Sequence, residues 1–169
     1  MVESDRLMIY PLDRDQLDVY LQAGDKFEHL FNLASTGRTV SPEVKEMVEK
    51  HTLSKMKAAT ADNYLFHTFW IVVNKSSRRI VAELGFKGEP NKEGEIEIGY
   101  GTLPDSRNKG FMTEAVGAMI EWARTQQGLR WLLAETDETN IASIRIVQKN
   151  NFRFDYKKGK MFWWRIPLS

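Results

Sequence analysis

Between Glu95 and Ala115 the sequence alternates, turns and then becomes helically periodic, and few architectures accept that order. Ile96, Ile98 and Tyr100 alternate with Glu95, Glu97 and Gly99, the period of two of a strand with unlike faces. A polar turn follows and ends at Gly110. Phe111, Ala115, Val116, Met119, Ile120 and Ala123 then recur at helical spacing, with Gly128 as the stop. The turn that hands the strand to the helix carries Arg107, Lys109 and Gly110. Such a junction is an anion site, because the first amides of a helix have no partner and its dipole is positive there. A pyrophosphate suits it.

Size, charge and residue types narrow the classes. The 169 residues suit one domain with a real core, here the whole span 1–169. With 24 basic and 23 acidic residues, the net charge of +1 gives no field for nucleic acid. The absence of cysteine excludes disulfides, thiolate metal sites and thiol nucleophiles. His29, His51 and His67 lack metal-ligand spacing, so no metal is expected. Neither a signal peptide nor a membrane-spanning run is apparent, which points to a soluble, cytoplasmic protein with no membrane partner.

The remaining segments read as strands and helices in alternation. Strands are expected at Arg6 to Tyr10, Phe66 to Val73, Arg79 to Lys87, Arg130 to Thr136, Phe152 to Tyr156 and Lys160 to Ile166. A helix is expected from Asp13 to Gly24. Another starts at Ser41-Pro42-Glu43, carries Val44, Met47, Val48 and His51 on one face, and reaches about Ala58. Asn140 to Asn150 forms a further helix with Ile141, Ile144 and Val147 inward. The sum is an α/β fold with one mixed, mostly antiparallel sheet of about seven strands and about four flanking helices.

Two blocks of residues then resemble the acetyl-CoA-dependent N-acetyltransferases of the GNAT superfamily, most closely the branch that acetylates ribosomal-protein N-termini. The family signature Gln/Arg-x-x-Gly-x-Gly/Ala falls on Arg107-Asn-Lys-Gly-Phe-Met112, flanked by Ile98-Gly-Tyr100 and Thr113-Glu-Ala115. The second block falls on Asn140-Ile-Ala-Ser143 and Lys149-Asn-Asn-Phe152. The resemblance implies a sheet splayed in the middle to admit acetyl-CoA. It implies that Asn108, Lys109, Gly110, Phe111, Met112 and Thr113 cradle the pyrophosphate with Arg107, and that Thr102 and Leu103 pair with the pantetheine arm. Asn140 and Ser143 would meet the pantetheine amide and the thiol end. Three positions depart from the pattern. Met112 stands where Gly or Ala is usual, so its side chain must turn into the core. Asn151 replaces a glycine at a helix C-cap, a position asparagine tolerates. Val147 replaces a tyrosine that protonates the thiolate in many members.

The implied reaction is acetyl transfer to a primary amine by direct attack, and the amine must first lose a proton. Glu97 is the candidate base and Glu83, on the neighbouring strand, the second. A backbone amide near Leu103 would polarise the carbonyl. Ser143 is the candidate group at the sulfur, ahead of Tyr156. A peptide or protein N-terminus is the first acceptor, with a small-molecule amine as the alternative within the class. A non-catalytic acyl-CoA-binding module is the alternative outside it. Phe27 to Arg38 would wall the acceptor groove, and an outward Trp163 or Trp164 would line it or a dimer contact, so monomer and homodimer both stay open.

Overall fold

The computed structural model describes residues 1–22, 24–60 and 63–169; residue 23, inside the first expected helix, lies outside the described residues. The strands are β1 (Val2–Glu3), β2 (Leu7–Pro11), β3 (Phe69–Asn74), β4 (Arg79–Phe86), β5 (Glu95–Thr102), β6 (Trp131–Asp137), β7 (Arg153–Lys158) and β8 (Met161–Pro167). They form one eight-stranded sheet in the order β1-β2-β3-β4-β5-β6-β8-β7. Among the described residues only β5 and β6 are parallel neighbours. The helices are α1 (Arg14–Tyr20), α2 (Lys26–Leu30), α3 (Pro42–Met47), α4 (Leu53–Ala58), α5 (Tyr64–His67), α6 (Phe111–Arg124) and α7 (Ile141–Lys149). Among the described residues no helix is long and apolar enough to cross a membrane.

The parallel seam is where the sheet opens. β5 and β6 pair only through Glu95–Trp131, Ile96–Leu132 and Glu97–Leu133. Beyond it, β5 stays with β4 as far as Thr102 and β6 stays with β8 as far as Asp137. Each strand is thus held along its outer edge, and strand twist separates the inner edges. The expected splay is present. Its closed end is tight: the Gly94 carbonyl accepts from the amides of Arg130 (2.8 Å) and Trp131 (3.1 Å). Gly94 sits at φ +76°, and a Cβ there would lie 2.5 Å from the Gly128 carbonyl oxygen.

Strand parity sorts the two cores. Ile96 and Ile98 join Leu132, Ala134, Met112, Ala115, Val116, Met119 and Val147 on the face covered by α6 and α7. Phe69, Ile71, Val73 and Ile80 pack with Leu17, Tyr20, Phe27 and Val48 on the other. Local signals hold at the caps. Asp13 and Gln16 form a capping box on α1, and Ser41 accepts from the Val44 amide.

Other expectations shift. Phe66 belongs to α5, because the chain first makes a turn (Thr68 N to Tyr64 O, 2.9 Å) and then enters β3. A π-helical turn, Val48–Thr52, separates α3 from α4 and rotates the expected common face. Val48 is buried, while Met47 is 42% exposed. Ile141 is exposed rather than inward, since the first turn of α7 lies outside the core that Val147 enters. The additional strand and helices relative to expectation are short pieces, β1, α2 and α5 among them.

Candidate active site

The turn before α6 is preformed. Asn108 (φ +60°) and Gly110 (φ +76°) are both left-handed, and the first helical bond is Glu114 N to Gly110 O at 3.1 Å. The amides of Phe111, Met112 and Thr113 precede that bond and so have no partner within the helix. Arg107, Asn108, Lys109 and Gly110 are exposed around them. The Met112 side chain is 3% exposed and lies in the core, as its bulk requires. A Cβ on Gly110 would meet only Arg6 Nη2 at 3.5 Å, so backbone conformation, and not space, selects glycine there.

Residues that the sequence reading passed over brace this turn. Glu114 accepts from the Arg6 amide (2.8 Å), Arg6 Nε (2.6 Å) and Ser4 Oγ (2.7 Å), and Arg6 Nη1 donates to the Lys109 carbonyl (3.1 Å). Burial would raise the Glu114 carboxyl, but these donors outweigh it and hold the group below its ordinary value. Asn150 Nδ2 donates to the carbonyls of Thr113 and Ile146, both at 3.0 Å, and so ties the end of α7 to the start of α6. Asn151 is left-handed at φ +62°, as the C-cap position demands.

Along β5 the open edge belongs to alternate residues. Leu103 donates its amide to the Val81 carbonyl (3.0 Å) and accepts from the Ser106 amide (2.9 Å). The Leu103 amide is therefore engaged within the sheet. Antiparallel alternation turns the backbone groups of Tyr100 and Thr102 toward the split instead.

Glu97 stands on the face opposite α6, with its side chain 14% exposed. Lys87, its cross-strand neighbour, forms an ion pair with it and also reaches Glu135 on β6 at 3.4 Å. The Lys87 contact to Glu97 Oε1 is close but poorly directed as a hydrogen bond. Burial pushes the Glu97 carboxyl above the ordinary carboxylate value, with Lys87 pulling the other way. Glu83 differs. It receives the Tyr20 hydroxyl under α1, and burial raises both groups. That makes Glu83 part of the core beside Arg38, whose guanidinium stacks 3.8 Å from the Tyr20 ring centroid. Arg38 in turn pairs with buried Glu28 at 2.8 Å, which fixes the 27–38 wall.

Opposite Glu97, the first turn of α7 approaches the split. Asn140 caps the helix by accepting from the Ser143 amide at 3.1 Å, leaving its own side-chain N–H groups to donate. Ser143 Oγ lies 3.1 Å from the Tyr100 hydroxyl, a contact from β5 to α7 that the sequence reading did not anticipate. Tyr156 shares a face with Trp163 and Glu135 by register, away from α7, and stacks on Trp163 with ring centroids 5.6 Å apart. Trp164 points inward and donates to Thr136 Oγ1 at 2.9 Å.

A sheet parted beside an uncapped helix N-terminus, with a half-buried carboxylate on one face of the gap and hydroxyls on the other, makes one cleft at the seam of β5 and β6. Residues 6–153 match the family described as "Acetyltransferase (GNAT) domain", and the chain belongs to that family of acetyltransferases. It is 33% identical over 95 residues to the uncharacterized N-acetyltransferase YjdG of Bacillus subtilis, a match that spans 56% of each chain. The fold is similar to RimL, a ribosomal L7/L12 alpha-N-protein acetyltransferase solved with CoA, at TM-score 0.65, 14% identity and coverage of 97% and 95%. It is also similar to spermidine N-acetyltransferase from Vibrio cholerae, solved with CoA and spermine, at TM-score 0.63, 12% identity and coverage of 98% and 97%.

Proposed function

We propose that this protein transfers the acetyl group of acetyl-CoA to a primary amine by direct attack in a ternary complex, and that the acceptor is a peptide or protein N-terminus. The observation that carries the reading is the split itself. β5 is unpaired toward β6 beyond Glu97, and the unpartnered amides of α6 stand past its end. The residues fit the donor. Phe111, Met112 and Thr113 would hold the pyrophosphate through their amides, with Arg107, Asn108, Lys109 and Gly110 shaping the turn. Thr102 and Tyr100 would present backbone groups to the pantetheine arm and the acetyl carbonyl, with Leu103 anchoring that edge through Val81. Asn140 would donate to a pantetheine amide.

Glu97 acts as the base, directly or through water; burial raises its carboxyl above the ordinary carboxylate value, the direction that strengthens a base, with Lys87 opposing. Ser143 hydrogen-bonds the departing sulfur through its hydroxyl and keeps its proton. On the acceptor face Glu97 and Glu135 share Lys87, and Glu95 and Asp155 share Arg165, so four carboxylates against two cations leave a net negative charge that attracts a cationic amine.

A thiol-release assay against peptides with free N-termini, polyamines and small primary amines tests this. Peptides should give the highest kcat/KM. A preference for polyamines would overturn the acceptor assignment. CoA binding with no thiol release from any acceptor would instead identify a non-catalytic binding module.

A further inference from the structure

The contact between Tyr100 and Ser143 crosses the split on the face away from Glu97. Tyr100 follows Ile96 and Ile98 in strand parity and packs against the α6–α7 core, so its hydroxyl approaches from behind the opening. Val147, one helical turn beyond Ser143, is fully buried and has no proton to give. Among the described residues, the hydroxyls of Tyr100 and Ser143 meet at this point, beside the N-terminus of α7.

We propose that Tyr100 is the positioning residue for the leaving sulfur: its phenol donates to Ser143 Oγ and so directs the Ser143 hydroxyl hydrogen at the thioester sulfur. The assignment rests on the role given to Ser143 above. The direction of the bond follows from acidity, since a phenol is a stronger acid than an aliphatic alcohol and is the donor of the pair. Once Ser143 Oγ accepts from Tyr100, its own hydrogen is left for a further acceptor. Burial pushes the Tyr100 phenol above its ordinary value, with the Ser143 bond opposing, so the hydroxyl keeps its proton through neutral pH. The Asn140 cap holds Ser143 in the first turn of α7, where the helix dipole also favours a thiolate.

The step balances without a net proton from the pair. The amine nitrogen forms the new bond to the acetyl carbon, the carbon–sulfur bond breaks, and its electron pair stays on sulfur. The ammonium gives its first proton through Glu97 to bulk water before the attack; the second, lost once the carbon–nitrogen bond forms, is taken up at Glu97 and neutralises the hydroxide left when water protonates the thiolate at the mouth of the split. Tyr100 and Ser143 supply directed hydrogen bonds during the charge build-up and are unchanged afterwards.

Tyr100→Phe, Ser143→Ala and the double variant test the pairing through three readouts: kcat, CoA affinity by calorimetry, and the pH midpoint of the bound CoA thiol by thiolate absorbance. With no cysteine in the chain the ligand carries the thiolate, and the overlapping tyrosinate absorbance of the five tyrosines is subtracted with a matched titration without CoA. Tyr100→Phe should lower kcat about 10- to 100-fold, leave CoA affinity within about 3-fold, and raise the thiol midpoint by about one unit. The double variant should be no slower than Ser143→Ala, because the two hydroxyls act in series. Unchanged kcat and midpoint in Tyr100→Phe would overturn the proposal, as would a loss of CoA affinity equal to the loss of kcat. If Tyr100→Phe fails to fold, Ser143→Ala carries the test: a midpoint equal to that of wild type refutes the pairing. Wild type that shows no transfer to any amine would sink the acceptor reading, while the thiol midpoint still reports on Tyr100.

Discussion

Gly94 closes the vertex from which the sheet opens, and replacing it by alanine should be disproportionately costly. Two penalties add. The left-handed φ of +76° costs a residue with a Cβ about 1–2 kcal/mol. The new Cβ would also stand 2.5 Å from the Gly128 carbonyl oxygen and 3.2 Å from the Arg130 amide nitrogen. Both are backbone atoms, so no side chain can rotate aside, and overpacking of this kind costs about 1–3 kcal/mol. The sum, about 2–5 kcal/mol, is a drop of about 4–20 °C in Tm for a chain of this length. Gly110→Ala is the internal control. It has the same φ of +76° but meets only the flexible end of Arg6 at 3.5 Å, so it pays the conformational penalty alone while weakening CoA binding. Urea and thermal denaturation of both variants, with CoA titrations, provide the comparison. A Gly94→Ala protein no less stable than Gly110→Ala would refute the claim that close backbone approach holds the vertex together.

Two further outcomes are expected. Glu28→Ala leaves the Arg38 guanidinium buried without its carboxylate, where the pair is now 1% and 4% exposed; urea unfolding should show a loss of about 3–5 kcal/mol, and a loss below about 1 kcal/mol would show the pair to be dispensable. For Glu97, activity requires the ionised form, so kcat/KM should rise with pH through a carboxyl pushed above the ordinary value of about 4.3. Lys87→Met should move that limb to higher pH, because the cation that opposes the rise is gone, and Glu97→Gln should erase it. The same carboxyl contributes stability below the unfolded carboxylate pKa and loses it as pH rises through the folded value. An acidic limb that survives in Glu97→Gln would assign the base elsewhere.

Much of the fold was legible because its signals are local. Alternation in β5, the glycine turn and the periodicity of α6 each depend on neighbours within a few residues, as do the caps at Ser41 and Asn140. Misreadings fell where local signals compete. Phe66 has strand propensity, yet the turn at Thr68 placed it in α5. The π turn at Val48–Thr52 shifted a face that a uniform helical period assigns to Val44, Met47 and His51.

What the chain determined by itself is the local backbone of the turn before α6 and the faces on which strand parity puts the candidate residues. Backbone conformation and side-chain alternation are short-range properties, so Gly110, Met112, Glu97 and Asn140 could be placed from the sequence. What only the tertiary structure decided is who meets whom. The β4–β5 register sets Lys87 against Glu97 and gives the Leu103 amide to Val81. The fold also brings Arg6 to Glu114 and Tyr100 to Ser143. These partners lie far apart along the chain, and the path of the backbone through the split sheet, and not any local preference, brings their polar atoms within hydrogen-bonding reach.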